Sequence, residues 1–532
     1  MYTVNIVENF LALTPSLPII LAFALPLISL VVKSRRVWES YTITASFIIL
    51  LLALTNFMRV YEVGKPLIYK FGGWPPPIGI VYEVDLLGAL MGLLVASIMF
   101  LIAIYSVKYL EHAHGVEWYY TLLLGVEAGM LGCVYTGDAF NLFVMLEVTS
   151  VAAYGLVAFY RSNKEAIEAA LKYAIVGSIA TTVYFISLAF LYGTYGTLNM
   201  ADIIAKSKLM VSPELALISG IPVANIIIGA AIILALAIWA FTVKAAAFPN
   251  HFWLPDAHPA APTPISAVLS GLVVKVGVYA VIRFSFTIFG GAKLLSNVIS
   301  VLYIVLLILG IFSAFVASML MVVQTDIKRL IAYSTVMHIG LIFIGLGLGT
   351  PLGLAAAIYH TINHAVAKAL LFLAAGVFIY TAKTRNIDEL AGIGRYMPLS
   401  TFTFIIAALA LVGIPPLNGF MSKLTLYYAL IDAGLAPLVV VIIVTSALAL
   451  LAYVKIVYSV WLKAPLRDYS DVKEAHPLML VPLLILALTC IVLGVTAPLL
   501  MDKLIMPTVK ATLNSDLYAK VALEALRKFL SS

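Results

Sequence analysis

The stretch whose reading decides the fold is KAAAFPNHFWLPDAHPAAPTPISAVLSGLVVKVGVYA, residues 244–280. It places two lysines, Lys244 and Lys275, in chain that is otherwise strongly apolar. Between them stand five prolines and the cluster His251, Asp256 and His258. Proline removes a backbone donor and clashes with the preceding helical turn. In hydrocarbon the polar groups freed in this way must find partners inside the protein. The stretch therefore reads as a membrane helix broken between two buried cations.

The rest of the chain fits that reading. Of 532 residues, 63% are hydrophobic and only 11% charged, against about 25% charged in a soluble domain. Apolar runs of about 20 residues recur, each long enough to cross a hydrocarbon core of about 30 Å. About 14 such runs are expected, near 15–32, 38–60, 84–107, 117–136, 138–160, 166–195, 225–247, 263–288, 295–322, 328–348, 352–381, 399–431, 436–462 and 477–499. The fold class is an all-α polytopic membrane protein. The seventh span is broken over Pro249–Pro255, and the twelfth by GIPPLNG at 413–419. Paired broken helices point to a transporter built from repeats. The breaks lie an odd number of spans apart, so the repeats would be inverted. The expected division is 1–116 for helices 1–3, then 117–290 as a first five-helix repeat with Glu147, Lys244 and Lys275. A second repeat would cover 291–463 with His364 and Lys423, and 464–532 would hold the last helix and a tail. Hydropathy alone carries this division, because the halves share no clear sequence identity.

Charge sets the orientation. One set of alternate loops carries Lys33, Arg35, Arg36, Lys108, Arg161, Lys164, Lys328, Arg329, Lys383, Arg385, Arg395, Lys463, Arg467 and Lys473. The other carries only Lys65, Lys70, Lys206, Lys208 and Lys293. By the positive-inside rule the first set is cytoplasmic, which places the chain in the cell membrane with both termini outside. The same asymmetry accounts for the net charge of +7, and no nucleic-acid motif is present. The N-terminus lacks the basic region of a cleavable signal, so the first helix is expected to be retained. GGWPPPIG at 72–79 reads as an exposed hairpin turn, and 197–220 as a short amphipathic helix lying on the outer face. The two cysteines, Cys133 and Cys490, sit in apolar spans without iron–sulfur spacing. No cofactor, no metal site and no catalytic residue is expected on the chain.

The informative residues are the ionisable ones at mid-span: Glu127, Glu147, Lys244, Lys275, His338, His360, His364, Lys368 and Lys423. Each charged group costs about 2.5–3.5 kcal/mol near the bilayer centre, so such a set persists where it faces a hydrated interior and has a task. His360, His364 and Lys368 recur every four residues and share one helical face. Glu147, Lys275, His338 and His364 fall at similar depths in their spans. Together they would form a polar row parallel to the membrane plane, suited to proton relay. A lysine holds its proton less tightly in an apolar site and more tightly beside a carboxylate. Glu147 moving toward and away from Lys244 would thus switch that lysine between keeping and passing a proton. Lys275 would receive it, and the histidines, which titrate near neutrality, would bridge to Lys423. Glu127 is read equally as a local hydrogen-bond partner or a relay acid. Asp138 and Asp256 are expected to cap helices or seal the breaks. Lysine and break come in opposite order at Lys244 and Lys423, which inverted repeats leave unexplained.

These residues resemble a family. The quoted stretch, continued through VIR, is similar to the hallmark segment of antiporter-like subunits. These are the proton-pumping membrane subunits of respiratory complex I, the D and A subunits of Mrp-type sodium/proton antiporters, and their relatives in archaeal membrane-bound hydrogenases. GDAFNLFVMLEVTSVAAYGLVA (137–158), DIKRLIAYSTVMHIG (326–340) and GIPPLNGFMSK (413–423) match as well. Lysine at position 423 looks most like the Mrp D type. The resemblance implies that Glu147 pairs with Lys244, that Lys275 and the histidines relay, and that Lys423 ends the half-channel. It assigns nothing to Glu127, and relatives vary at His258. It implies partners: other membrane subunits of a hetero-oligomeric complex, Mrp-like, hydrogenase-like or complex I-like, with lipid around them.

The expected function is an ion-translocating, antiporter-like subunit that couples proton movement to a redox module or to sodium exchange. Any oxidoreductase active site would lie on another chain. Two rivals stay open: a self-sufficient cation/proton antiporter, and a structural membrane scaffold.

Overall fold

The computed structural model describes residues 9–210, 220–222 and 225–530. Helices α1 (Asn9–Val31) and α2 (Arg35–Val63) lead into a hairpin of β1 (Leu67–Lys70) and β2 (Val81–Val84). The strands are antiparallel, with Leu67 opposite Val84 and Lys70 opposite Val81, so the GGWPPPIG segment is the hairpin loop. Then come α3 (Leu86–Tyr109), α4 (Val116–Tyr135), α5 (Ala139–Val157), α6 (Lys164–Tyr195) and the short α7 (Met200–Ser207). Helices α8 (Ile226–Lys244), α9 (Leu254–Ala260) and α10 (Thr263–Ile288) contain the stretch quoted above. They are followed by α11 (Ser296–Val322), α12 (Ile327–Gly347), α13 (Pro351–Ala382), α14 (Pro398–Val412), α15 (Asn418–Asp432), α16 (Val439–Val457) and α17 (Pro477–Val495). The tail adds α18 (Met506–Leu513) and α19 (Ser515–Leu530).

Among the described residues, 12 helices are long and apolar enough to cross a membrane. The expected fourth and twelfth spans fall outside that set. The fourth is α4, a 20-residue helix with Glu117 and Glu127 in it. The twelfth is divided into α14 and α15, each of 15 residues. Helix α10 is buried along its whole length, and α12 and α13 nearly so. Around them α1, α2, α11 and α16 turn side chains such as Phe23, Leu51, Ile304 and Leu451 outward, as lipid-facing helices should. The ionisable side chains are thus concentrated on the helices farthest from lipid.

Local chemistry explains where several helices start. Asp85 accepts from the Gly88 amide at 2.9 Å and Asp138 from the Asn141 amide at 2.8 Å, side-chain caps that satisfy otherwise orphaned donors. Asp256 does not cap. It lies 3.3 Å from both Lys172 and Arg329 and ties α9 to α6 and α12.

Segment 197–220 departs from expectation. Its described helix, α7, is buried rather than laid on a surface. Lys206 and Asp202 form an interior ion pair at 3.3 Å, and Lys206 also donates to the Tyr195 carbonyl at 2.7 Å. The amphipathic α19 packs over it, with Lys208 bonded to Ser515 at 2.7 Å. An amphipathic pattern cannot tell lipid from a covering helix. Residues 211–219 of that segment lie outside the described set.

Beneath the hairpin, Arg283 forms a two-pronged ion pair with Asp85, and both are buried. Glu83 on β2 is buried beside them. Burial first, and the Asp85 charge second, hold the Glu83 carboxyl well above the usual carboxylate range, while Arg283 pulls the other way. A raised native value means stability that is full below the ordinary glutamate pKa of about 4.3 and is lost as pH climbs through the raised value. Thermal unfolding followed across pH should show that decline, and Glu83→Gln should flatten it. Arg283→Met should destabilise by about 3–5 kcal/mol, because it strands a buried carboxylate; adding Asp85→Asn should recover much of the loss in the same assay.

Candidate functional site

The two breaks are stitched by protein groups. After α8 the chain turns at Ala246, which has a positive φ of 55°. The Trp253 indole donates back to the Val243 carbonyl at 3.0 Å, and the Phe248 amide donates to Ser313 Oγ at 2.8 Å. After α14 the chain turns at Gly413, whose φ of 93° suits glycine. Here the Lys423 ammonium reaches back from α15 to the carbonyls of Leu411 at 2.9 Å and Val412 at 2.7 Å, and to Ser446 Oγ at 2.8 Å. Lys244 is the last residue of α8. The Lys423 ammonium sits at the C-terminal end of the half-helix α14, where the helix dipole favours a cation. Despite the opposite order in sequence, each lysine is thus associated with the C-terminal end of a half-helix, Lys244 as its last residue and Lys423 by its side chain recrossing the break.

Lys244 donates to Ser150 Oγ at 2.8 Å. Glu147 lies one turn before Ser150 on α5, close enough for its charge to act on Lys244. No direct ion pair joins the two among the described residues, and Glu147 Oε1 is buried without a hydrogen bond there. Next comes α10. At Gly277 an added Cβ would stand 2.6 Å from the Ala245 nitrogen and 3.0 Å from the Lys244 carbonyl carbon. That close approach brings the Lys275 helix against the end of α8. Lys275 donates to the Ser270 carbonyl inside a widened, π-type turn, Leu269–Val273, a local form common at functional sites. Ser270 Oγ in turn meets Thr335 Oγ1 of α12 at 2.7 Å.

From α12 onward the contacts are tighter. Lys368 of α13 donates to Ser334 Oγ and to the Ile331 carbonyl, the latter at 3.0 Å. His338 Nδ1 and His360 Nε2 share a hydrogen bond of 3.0 Å. His360 Nδ1 meets Ser422 Oγ at 2.9 Å, next in sequence to Lys423. The His364 ring lies 4.7 Å from that of His338, centroid to centroid. Of the nine ionisable residues selected from sequence, the eight of the expected relay lie on α5, α8, α10, α12, α13 and α15, and Glu127 lies on α4. The hydrogen bonds run in three pieces: Lys244 with Ser150 on the Glu147 helix, Ser270 and Lys368 with α12, and His338 and His360 with Ser422 beside Lys423.

Sequence reasoning passed over several participants. Ser150, Ser334, Ser422 and Ser446 supply hydroxyls that hold the lysines and a histidine, and Ser270 holds Lys275 by its carbonyl while its hydroxyl meets Thr335. Their one sequence signal is position, since Ser150 follows Glu147 by one turn and Ser422 adjoins Lys423. Lys328, read as a loop cation, is buried and donates to the Ala261 carbonyl at 2.6 Å. His258 is also buried, stacked on Phe372 at 4.7 Å, with neither ring nitrogen hydrogen-bonded among the described residues.

Comparison with known proteins now decides the family. Residues 136–449 match the family described as NADH:quinone oxidoreductase/Mrp antiporter, TM, and residues 76–120 match the complex I chain 5 N-terminus. The chain belongs to this antiporter family. NADH-quinone oxidoreductase subunit N of Desulforudis audaxviator is 32% identical, over 86% of this chain and 90% of the relative. The D-type subunit of the Na(+)/H(+) antiporter of Alkalihalophilus pseudofirmus is 29% identical, over 92% and 94%. Among solved structures, the membrane-bound sulfane sulfur reductase, an archaeal respiratory membrane complex, contains a chain 32% identical with a TM-score of 0.85, covering 96% of this chain and 99% of its own.

For this antiporter-family chain the contact at Gly277 yields a direct expectation. Gly277→Ala would press a methyl into the backbone beside Lys244, an overpacking worth about 1–3 kcal/mol. A lowered unfolding temperature, together with reduced ion movement by the assembled complex, is the expected result.

Proposed function

We propose that the chain is the proton-translocating, antiporter-like subunit of a multi-subunit membrane complex. Its route would join Glu147, Lys244, Lys275, Lys368, His338, His360, His364 and Lys423. The observation that supports it most is the hydrogen-bonded run His338–His360–Ser422 ending beside Lys423. Proton transfer needs donors and acceptors within hydrogen-bond reach or one water apart, and this run meets that demand in the core of the bundle.

In this reading the first half, 117–290, and the second, 291–463, are inverted repeats within about 14 crossings. The similar placement of Lys244 and Lys423 at half-helix ends favours that pairing. The basic loops face the cytoplasm and both termini face outward, in the cytoplasmic membrane. The relatives include one subunit of a quinone oxidoreductase, one of a sodium/proton antiporter and a chain of a sulfur reductase complex. Energy for this chain would therefore come from partner subunits, through a redox module or a sodium gradient. Lys244 needs Glu147 near but not bonded, so the working cycle would alternate between the Ser150 contact seen here and a direct Glu147 pair.

Proton movement by the intact complex in sealed vesicles tests the route. Lys244→Ala, Lys275→Ala, Lys423→Ala and Glu147→Gln should each reduce it on the order of a hundredfold, the scale of a lost proton-transfer group, while the complex still assembles. Wild-type rates in these variants would leave only a scaffold role. Exchange by the purified chain alone would instead favour a self-sufficient antiporter.

A further inference from the structure

Glu127 has no place in that route. Helix α4 packs on α5 through Gly125, Gly129 and Gly132, which meet Ala152, Thr149 and Met145. At about 100° per residue, Glu127 lies roughly 200° around α4 from Gly125 and from Gly129. It therefore faces away from Glu147 and toward α2. There Ser46 donates to Glu127 Oε2 at 3.1 Å. Glu127 Oε1 is buried with no hydrogen-bond partner among the described residues.

The buried face of α2 continues this polar line in one direction. Its buried residues are Glu39, Thr42, Ala45, Ser46, Ile49, Ala53, Asn56 and Val60. Glu39, Thr42 and Ser46 fall on successive turns and cover about 10 Å of helix. On α4, Tyr120 lies two turns before Glu127, within electrostatic reach of Glu39 and Arg35. The Tyr120 hydroxyl is likewise buried and unpaired among the described residues. Arg35 pairs with Glu39 at 2.6 Å and donates to the Glu111 carbonyl at 2.7 Å, at the face that carries the basic loops. Toward the other face the line stops: Ile49 and Ala53 separate Ser46 from Asn56 by about 15 Å of helix. The titratable groups facing this site are few. Of the charged residues on α2 only Glu39 is on the buried face, and α1, which also packs there, carries none. On α4, Tyr120 lies toward Glu39, and Tyr135, two turns beyond Glu127, lies against Asn56 and Thr14. On α3, Tyr105 and Tyr109 turn to the Leu373 carbonyl and Thr263, and Lys108 pairs with Glu111.

We propose that Glu127 is a proton-binding site of its own, loaded from the basic face along Glu39, Tyr120, Thr42 and Ser46. Buried polar oxygens in a membrane interior find partners in protein or in ordered water. The unpaired oxygens of Tyr120 and Glu127, with the Thr42 and Ser46 hydroxyls between, mark a course for water to the carboxyl. The apolar stretch at Ile49 and Ala53 closes it from the opposite face. A carboxyl reached from one side only takes up and returns protons there, apart from the Glu147–Lys423 route.

Infrared difference spectroscopy on the intact complex in oriented vesicles, with pH changed at one face at a time, tests this. Wild type should show a carboxylic carbonyl band that responds at the basic face. Glu127→Gln should lose it, and Ser46→Ala should shift it by removing the hydroxyl donor. Lys244→Ala should keep it, so failure of the main route would not be mistaken for failure of this site. A spectrum in which Glu127→Gln removes no pH-dependent band, or a band that answers only to the opposite face, overturns the proposal.

Discussion

In hydrocarbon an unpaired carbonyl and an unpaired ammonium are each expensive, and in this protein they satisfy one another. Lys423 binds the carbonyls left open at the end of α14. Lys275 binds the Ser270 carbonyl in the π-type turn of α10 and Lys328 the Ala261 carbonyl between α9 and α10, while Lys368 binds the Ile331 carbonyl within the continuous α12. Cation and broken backbone meet at the second break, where the α14 end without Lys423 would leave two carbonyls open.

This choice of partner has a chemical consequence. A carboxylate held in direct contact would fix a lysine in its charged form, whereas neutral carbonyls and hydroxyls hold it with less bias. Lys244 is the instructive case, bonded to Ser150 with Glu147 near but not touching. In the proposed cycle it would move between Ser150 and Glu147. In the histidine cluster the rings meet each other and Ser422 rather than an acid. By contrast, Arg283 and Asp85 form a bidentate, fully buried pair, the arrangement of a structural clamp, and they lie beneath the hairpin, on the last turns of α10 and at the start of α3.

Much of the site was legible in residue order, since an ionisable residue in an apolar span announces itself. Glu147, Lys244, Lys275, the three histidines, Lys368 and Lys423 were all found in this way. Ser150 and Ser422 were not, because a serine is unremarkable in a membrane helix until something binds it. Lys328 was misplaced for a related reason. Two residues from a span boundary, a lysine can snorkel outward or turn inward, and only the position of the 259–261 carbonyls settles which. The segment at 197–220 shows the same limit: the amphipathic pattern required a partner for the apolar face, and for its described helix α7 the partner is α19.

Sequence alone determined that the chain is helical and lives in a membrane, where it breaks, and which ionisable side chains stand in its apolar spans. Those properties follow from local terms: hydropathy over one span, the missing donor of proline, the cost of a charge in lipid. Tertiary structure decided which groups meet. It brought Lys423 back across its own break to match Lys244, turned Glu127 away from Glu147 toward Ser46, and pressed α10 against the end of α8 at Gly277. Such contacts depend on helix rotation and on the reach of side chains between distant segments, which no local pattern records.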